Sequence, residues 1–234
     1  MKNVIVIKYG GSLMDDRNAE KAVLKNILSI SKKNPVIVVH GGGKDITSAL
    51  KKANIETKFI NGFRYTDEKA IKIVEGVLEN IQRRIAKELK NAVVIKKAVI
   101  GKRLKELGYV GKFTNAEISK INEVLNKKKI AVISPVGKSK DGQILNFNAD
   151  DIAGCIAAIY KAKKLIFFTD VEGVLNSNKK TIPQIKTPDI KKLIYSGVIT
   201  GGMIPKVQGC AEAVQNGVKE VDIFSIKLKG TKII

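Results

Sequence analysis

The sequence predicts an α/β protein, a three-layer αβα sandwich whose central sheet is mainly parallel and covered by helices on both faces. Segments rich in β-branched residues alternate with segments whose apolar residues recur at helical spacing, a pattern typical of parallel sheets. Two predicted strands run directly into glycine clusters, at Gly10–Gly11 and at Gly41–Gly43. The chain has 234 residues, 44% of them hydrophobic, and is therefore long enough to bury one large core or two fused lobes.

In chain order, five strands and five helices are predicted in alternation. The strands are Asn3–Lys8, Pro35–His40, Ala131–Pro135, Lys164–Thr169 and Glu220–Phe224. The helices are Ala19–Lys32, Lys44–Ala53, Asp67–Lys90, Ala149–Lys161 and Met203–Asn216. Glycine and asparagine mark loop or hairpin tips at Gly137–Gly142 and Asn176–Thr181. The long helix at 67–90 carries an apolar stripe, which fits either a face of the core or a subunit interface.

The formal net charge is +21, which raises the question of a nucleic-acid partner. Only five of the basic residues are arginine, tryptophan is absent, and no basic–aromatic interleaving typical of base stacking occurs. We therefore expect a lysine-rich solvated surface and no nucleic acid; a patch that attracts an anionic partner or substrate remains the alternative. No apolar run approaches the ~20 residues of a membrane helix and no signal peptide is recognisable, so a soluble cytoplasmic protein is expected. His40 is the single histidine, and neither a metal site nor a disulfide between Cys155 and Cys210 is expected.

The two glycine clusters predict a phosphate-transfer site. Glycine permits positive φ, so consecutive backbone N–H groups can turn toward one anion, and a following helix adds its N-terminal amides and dipole. Lys8 precedes the first cluster. The P-loop, the dinucleotide fingerprint and the protein-kinase catalytic loop are all absent, so any binding of ATP uses another architecture.

Four further segments carry polar groups at positions suited to a ligand. Arg64 follows a glycine turn, and its planar guanidinium suits bidentate capture of a carboxylate. Asn146 and Asp150 lie at the start of a predicted helix, where Asp150 is also a candidate N-cap. Asp170 directly follows a buried strand, at the edge where open α/β sheets bind ligands. Lys206 lies on the first turns of the last helix, a position that a surface lysine could equally occupy.

These segments resemble the amino acid kinase family, in the family's order and over residues 4 to about 224. The matching stretches are KYGG, VHGGG, NGFRYTD, GYVG, NFNADD, FFTDVEGVL and GGMIPKV. The resemblance implies the carbamate kinase-like fold, with an acyl-amino-acid-binding lobe at 1–145 and an ATP-binding lobe at 146–234. It also implies transfer of a phosphoryl group from ATP, with Mg²⁺ carried by the ATP phosphates, to the γ-carboxylate of N-acetyl-L-glutamate, and a homodimer.

The resemblance also implies roles for individual residues. Lys8 and Lys206 would flank the transferring phosphoryl group, and Asp150 would orient both lysines. Arg64 and Asn146 would bind the acylated amino acid. Backbone N–H groups of four glycines would meet the phosphate and the acceptor: Gly10, Gly11, Gly42 and Gly43. The nucleotide site would be lined by Asp170, Val171, Glu172, Gly173, Val174, Leu175, Val198, Ile199 and Thr200.

Phosphorylation of a carboxylate is consistent with these residues, because an acceptor with a pKa of about 4.3 is ionised at pH 7 and needs no general base. Two regions depart from the family pattern: the stretch 96–107 is shorter than usual, and the C-terminal stretch VDIFSIKLKGTKII lacks the helix that normally separates the family's last two strands. Arginine-inhibited members carry a helix before the first strand, so inhibition by arginine is not expected here. Two other functions remain open, a kinase for carrier-protein-bound aminoadipate or glutamate, and a non-catalytic basic binding protein.

Overall fold

A computed structural model describes residues 1–234. Its strands are β1 Ile5–Tyr9, β2 Val36–His40, β3 Phe59–Ile60, β4 Phe63–Arg64, β5 Ala92–Ile95, β6 Val99–Leu104, β7 Val110–Ala116, β8 Ile130–Ile133, β9 Val136–Lys138, β10 Ile144–Asn146, β11 Lys164–Phe168, β12 Gln184–Ile185, β13 Val221–Phe224 and β14 Gly230–Ile233. Its helices are α1 Ser12–Asp15, α2 Arg17–Ser31, α3 Gly43–Lys52, α4 Glu68–Leu89, α5 Ile118–Asn126, α6 Ala149–Ile159, α7 Ile190–Tyr195 and α8 Met203–Gln215.

The chain forms two compact units, one of residues 1–36 with 153–234 and the other of residues 37–152. The sequence predicts a single boundary near residue 145, whereas the first 36 residues group with the C-terminal part of the chain. The reason is strand pairing, since β1 is hydrogen-bonded in parallel to β11, which lies after residue 153. The assignment of ligands to the lobes 1–145 and 146–234 stays a prediction.

The first unit contains a mostly parallel arrangement of strands in the order β12-β14-β13-β11-β1. Strands β1, β11 and β13 run parallel to one another, and β14 is antiparallel to β13. The side chains along β11 are almost entirely buried, as expected for a strand covered on both faces. The carboxyl ends of β1 and β11 therefore lie side by side at one edge.

The second unit contains the parallel strands β2, β8 and β5, in that order, and a small closed barrel of β10, β7, β6 and β9. The barrel includes residues 99–104, within the stretch that is short relative to the family. Phe147 packs into it against Gly101 and Gly111, where a Cβ atom would lie 2.4 Å and 2.3 Å from the ring. Glycine at these two positions lets the ring approach the strands.

The five predicted strands and five predicted helices are all present, with ends that differ by about two residues or fewer. The predicted tip at 176–181 is present, since Leu175 bridges Thr181. The tip predicted at 137–142 is a hairpin, but Gly137 and Lys138 belong to β9 and pair with β10. The sequence pattern missed the short elements, namely the barrel strands, β3, β4, β5, β12, β14, α1, α5 and α7. The shortest of these elements, with two to four residues, have too few residues to show a period, whereas β6, β7 and α5, with six, seven and nine residues, are long enough and were still missed.

The apolar stripe of α4 is a face of the core. Six of its residues are at most 5% exposed within the single chain, namely Ile71, Val74, Leu78, Ile81, Ile85 and Leu89. The stripe packs on α3, β5 and β8 of the same unit. It therefore needs no second subunit to cover it, and the homodimer stays a prediction.

The C-terminal end is a tight antiparallel hairpin of β13 and β14, in which Ser225 N–H donates to the Lys229 carbonyl at 2.8 Å. This confirms that no helix separates the last two strands. None of the helices in the structure is both long and apolar enough to cross a membrane.

Candidate functional site

In the first unit, the turn after β1 combines a lysine with two glycines. Lys8 is half-buried and is the register partner of Phe167 on β11. Gly10 is buried, and Gly11 adopts φ +64° immediately before α1, a conformation that favours glycine. Both glycines therefore shape the turn at the carboxyl end of β1, as the sequence predicts.

Lys206 reaches the same place from α8. Its Nζ lies 5.2 Å from the centroid of the Phe167 ring, a cation–π contact. Register partners on neighbouring parallel strands point to the same face of a sheet, so the side chains of Lys8 and Phe167 share a face. The two lysines predicted to flank a phosphoryl group therefore lie on one face of the first unit.

Asp170 completes this cluster. Its Oδ2 accepts a hydrogen bond from Ser12 Oγ at 2.7 Å, and its Oδ1 accepts one from Thr169 Oγ1 at 3.2 Å. The Ser12 hydrogen bond is the main cause that lowers the pKa of Asp170, and the charge of Lys206 lowers it further. Ser12 is a residue that the sequence analysis did not single out, although it directly follows the first glycine pair.

The loop 170–175 follows the end of β11 and is exposed except at its middle, residues 173–174. Val171 and Leu175 are each 42% exposed, while Gly173 and Val174 are buried. Gly173 adopts φ +86°. The loop thus presents two apolar side chains and two carboxylates, those of Asp170 and Glu172, to solvent, while its middle at 173–174 is buried.

Residues 198–200 form the turn between α7 and α8. The N–H groups of Val198 and Ile199 both donate to the Leu193 carbonyl at 3.0 Å, which closes the end of α7. Ile199 is buried and Thr200 is exposed. The turn leads through Gly201, at φ +54°, into the helix that carries Lys206.

In the second unit, β2 ends in His40 and the triple glycine. His40 Nδ1–H donates to the Gly41 carbonyl at 2.7 Å, as that carbonyl only accepts, and burial lowers the pKa of the ring to about 4. A Cβ on Gly42 would lie 2.7 Å from Leu78 Cδ2, so glycine lets the turn lie directly on α4. Gly43 is exposed and is the first residue of α3, where helix N–H groups face outward.

Arg64 lies beside this helix start, at the end of β4. Its Nη2 donates to the Gly43 carbonyl at 2.9 Å and to Thr47 Oγ1 at 2.8 Å, and its Nη1 donates to Thr57 Oγ1 at 3.3 Å. The guanidinium also lies 4.8 Å from the centroid of Phe59. A guanidinium can bind a carboxylate along two edges, one formed by Nε–H and Nη2–H and the other by Nη1–H and Nη2–H. Because both Nη2 hydrogens are already used, both edges are occupied. Arg64 is thereby held rigidly, with Nε–H and one Nη1–H outside these contacts.

Asn146 is joined to Arg64 through Thr66, which is fully buried. Asn146 Nδ2 donates to Thr66 Oγ1 at 3.3 Å, and Thr66 Oγ1 donates to the Arg64 carbonyl at 2.9 Å. Gly108, at φ +77°, lies so close to Thr66 that a Cβ atom would be 2.2 Å from the Thr66 carbonyl oxygen. Three of the matching segments, NGFRYTD, GYVG and NFNADD, therefore meet around one threonine that the sequence analysis quoted but did not select.

Asp150 lies in the first turn of α6, but the helix cap is Asn148. Asn148 Oδ1 accepts the N–H groups of Asp150, at 2.8 Å, and Asp151, at 3.3 Å. The interpretation of Asp150 as an N-cap is wrong, because the residue two positions earlier performs that role. The first unit thus brings together Lys8, Asp170 and Lys206, and the second brings together Gly43, Arg64 and Asn146.

These two clusters lie in a fold of known type. The model of the amino acid kinase family matches residues 3–225, and the chain belongs to this family. A carbamate kinase from Giardia lamblia, solved with AMP-PNP, superposes with a TM-score of 0.76 at 16% identity, over 99% of this chain and 98% of its own. The predicted fold class, α/β with a central mostly parallel sheet, is confirmed.

Other similar proteins resemble the chain in sequence as well. An acetylglutamate kinase from Endomicrobium trichonymphae is 39% identical, with 100% of this chain and 99% of that protein covered. The crystal structure of smu.665 from Streptococcus mutans is 32% identical with a TM-score of 0.87, covering 100% of this chain and 99% of its own. The chain is therefore similar to acetylglutamate kinases over its full length.

Proposed function

We propose that this protein transfers the γ-phosphoryl group of ATP to the γ-carboxylate of N-acetyl-L-glutamate, which yields N-acetyl-L-glutamyl 5-phosphate and ADP, the second step of arginine and ornithine biosynthesis. The observation that carries the proposal is the placement of Lys8 and Lys206 on one face at the carboxyl ends of β1 and β11. The similarity to acetylglutamate kinases supports the choice of substrate.

The donor side is assigned to the first unit. An anionic acceptor and the γ-phosphate repel each other, and positioned cations remove this barrier as charge shifts toward the leaving oxygen. Lys8 and Lys206 supply two such cations, and the turn at Gly10–Gly11 supplies N–H donors. Magnesium would arrive with ATP, bound by its phosphates, and neutralise part of their charge. The loop 170–175 and the turn 198–200 would hold the nucleotide.

The acceptor side is assigned to the second unit. Arg64 would meet the α-carboxylate of the substrate through a single hydrogen bond from Nε–H or from Nη1–H, or bidentately once the Thr47 hydroxyl rotates away from Nη2. Asn146, held by Thr66, would meet a second polar group, and the N–H groups at Gly42–Gly43 would face the reacting carboxylate. The role predicted for Asp150 stays a prediction.

No general base is required in this reaction. The γ-carboxylate is already ionised at pH 7, and its oxygen attacks phosphorus directly as the bond to the ADP oxygen breaks. His40 is consistent with this, because its ring is buried and neutral and its Nδ1 is used within the turn.

A hydroxylamine-trapping assay tests the proposal. The protein is incubated with ATP, Mg²⁺ and N-acetyl-L-glutamate, and any acyl phosphate is converted to a hydroxamate that is measured colorimetrically. L-Glutamate and N-acetyl-aminoadipate are run in parallel. We expect a signal with N-acetyl-L-glutamate and none with the other two. Silence with all three substrates would contradict the proposal.

Lys8→Ala and Lys206→Ala should each reduce turnover about a hundredfold or more, because an oriented donor to the transferring group contributes ~3 kcal/mol. The circular dichroism spectrum and melting temperature should stay close to those of the wild type. Lys21→Ala is the matched control, since Lys21 is an exposed lysine of α2, and it should retain full turnover. Turnover near the wild-type value in either site variant would remove that lysine from the mechanism.

A second candidate is a kinase for aminoadipate or glutamate carried on an acidic protein, which the net charge of +21 would suit. It predicts no hydroxamate with the free acylated amino acid and a signal only with the carrier-bound substrate. The non-catalytic alternative predicts a salt-dependent gel shift with duplex DNA in the absence of any transfer activity. We expect no shift at physiological salt.

A further inference from the structure

Thr231 joins the C-terminal strand to the loop that follows β11. It lies in β14, is fully buried, and its Oγ1 accepts the Val174 N–H at 2.8 Å while donating to the Ile182 carbonyl at 2.7 Å. Val174 and Ile182 are themselves linked, since the Ile182 N–H donates to the Val174 carbonyl at 2.8 Å. One hydroxyl thus ties together the outgoing and returning arms of the excursion between β11 and β12.

Next to this hydroxyl, the loop backbone at Gly173 packs directly against β14. Gly173 has φ +86°, and a Cβ placed on it would lie 2.5 Å from Thr231 Oγ1 and 2.6 Å from the Thr231 nitrogen. Any side chain at residue 173 would therefore push the loop away from the strand and stretch the Val174 hydrogen bond.

The rest of the excursion is also held by hydrogen bonds, both to β14 and between its own residues. Thr181 Oγ1 donates to the Glu172 carbonyl at 2.9 Å, and Lys232 N–H donates to the Pro183 carbonyl at 3.0 Å. Beyond this point β12 pairs in parallel with β14, with Ile185 opposite Ile233. The backbone of the loop is therefore held by β14 and by contacts within the excursion, while the side chains of Val171 and Leu175 remain exposed to solvent.

The position of Thr231 is in turn fixed by the direct turn between the last two strands. Thr231 is the register partner of Ile223, and Gly230 is that of Phe224. A Cβ on Gly230 would lie 1.9 Å from the Ile223 carbonyl oxygen, so glycine is needed for this close pairing. Since β13 pairs with β11, the hairpin and the loop are anchored to the same strand.

We propose that Thr231 is a positioning residue for nucleotide binding, which acts by holding the backbone of loop 170–175 in its binding conformation. The inference rests on the proposed function, in which this loop holds the nucleotide. A loop that is ordered before binding loses little conformational entropy when the ligand arrives, whereas a loosened loop binds only in the fraction of time that it has the right conformation. Thr231 touches no substrate in this scheme.

The test compares Thr231→Val with Thr231→Ser. Valine keeps the shape of the side chain but leaves the Val174 N–H and the Ile182 carbonyl without their partner, while serine keeps the hydroxyl. Affinity for ADP and for a non-hydrolysable ATP analogue with Mg²⁺ is measured by calorimetry, and the KM values of both substrates are measured by the hydroxamate assay. Thr231→Val should weaken nucleotide binding about tenfold and raise the KM of ATP, with the KM of N-acetyl-L-glutamate unchanged. Thr231→Ser should bind as the wild type does.

Two further variants sharpen the result. Thr114→Val removes another threonine hydroxyl that donates to a carbonyl, that of Ile100 at 3.2 Å in the second unit, and should leave nucleotide affinity unchanged. Gly173→Ala displaces the same loop from the other side of the contact and should reproduce the rise in the KM of ATP. It therefore tests the inference even if Thr231→Val does not fold.

Equal nucleotide affinity in Thr231→Val and the wild type would overturn the inference while leaving the proposed function intact. So would an equal rise in both KM values without rescue by serine, because that pattern belongs to general loss of structure. A wild-type protein that binds no nucleotide would instead overturn the proposed function, and this inference with it.

Discussion

At the scale of single residues, His40 shows how burial sets a charge state. Its side chain is fully buried at the end of β2, and Nε2 has no hydrogen-bond partner. Burial lowers the pKa to about 4, the Gly41 carbonyl opposes this, and the positive charge of Arg84 adds to the lowering. The ring is therefore neutral at pH 7, beside a glycine turn that is proposed to meet an anionic acceptor.

His40→Asn should remove a pH dependence of stability. In the wild type, the unfolded chain takes up a proton below pH 6.5 while the folded ring stays neutral down to about pH 4. The stabilising contribution is therefore present above pH 6.5 and is lost as the pH falls, by about 2–3 kcal/mol between pH 8 and pH 4.5. Urea denaturation at several pH values measures the free energy of unfolding of both proteins. The difference, wild type minus variant, should decrease by this amount between pH 8 and pH 4.5.

The comparison with the variant is needed because another group titrates in the opposite direction. Burial raises the pKa of Asp222 to about 6 despite its contact with Lys164 at 3.1 Å. Its stabilising contribution is present below pH 3.8 and is lost as the pH rises through about 6. This effect cancels in the difference between the two proteins. A difference that does not change with pH would show that His40 is not held neutral.

At the scale of elements, glycines mark where the backbone of one element meets another. Gly137 of β9 has no room for a side chain, since a Cβ would lie 2.1 Å from the Val99 carbonyl oxygen of the neighbouring barrel strand. Gly76, in the middle of α4, has nothing within 4 Å of the same position. The same residue type is therefore required in one element and costly in the other.

Alanine at these two positions should have opposite effects on stability. Gly137→Ala forces the barrel strands apart and should destabilise the protein by about 1–3 kcal/mol. Gly76→Ala lowers the conformational entropy of the unfolded chain and should stabilise the protein by about 0.5–1 kcal/mol. Chemical denaturation followed by circular dichroism measures both. Equal stability of the two variants would contradict the close contact in the barrel.

At the scale of the whole molecule, the main feature is the excess of positive charge. The net charge is +21, and both proposed substrates are anions. A protein of one charge sign attracts ligands of the other and raises their rate of encounter, and salt screens this attraction over ~10 Å at 0.1 M. The lysine-rich surface thus has a consequence for catalysis without forming a specific site.

The value of kcat/KM for ATP should therefore fall several-fold between 20 and 300 mM KCl, with kcat changed much less. The hydroxamate assay under initial-rate conditions measures both. Sucrose at matched osmolality is the control, because it leaves electrostatic interactions unscreened. A value of kcat/KM that is independent of salt would exclude any role of the net charge in substrate capture.

Much of the fold was predictable because its main elements are long enough to show a period. The five strands and five helices follow from the spacing of apolar residues within each segment. The barrel did not follow, since its closure depends on β10 pairing with β7 and β9 pairing with β6, segments that are distant from each other in the chain. The glycine turns and Lys8 at the strand ends were recognisable from the sequence, and their roles in binding and catalysis stay predictions.

The sequence by itself determined the α/β alternation, the two glycine turns and the set of charged residues beside them, because these depend on local backbone freedom and on the spacing of apolar side chains. Only the tertiary structure decided that Thr66 links Arg64 to Asn146 and that Thr231 holds the loop after β11. Such partners are 80 residues apart in the case of Asn146 and Thr66, and 57 in the case of Val174 and Thr231. Strand register sets which polar groups meet over those separations, and no local pattern encodes it.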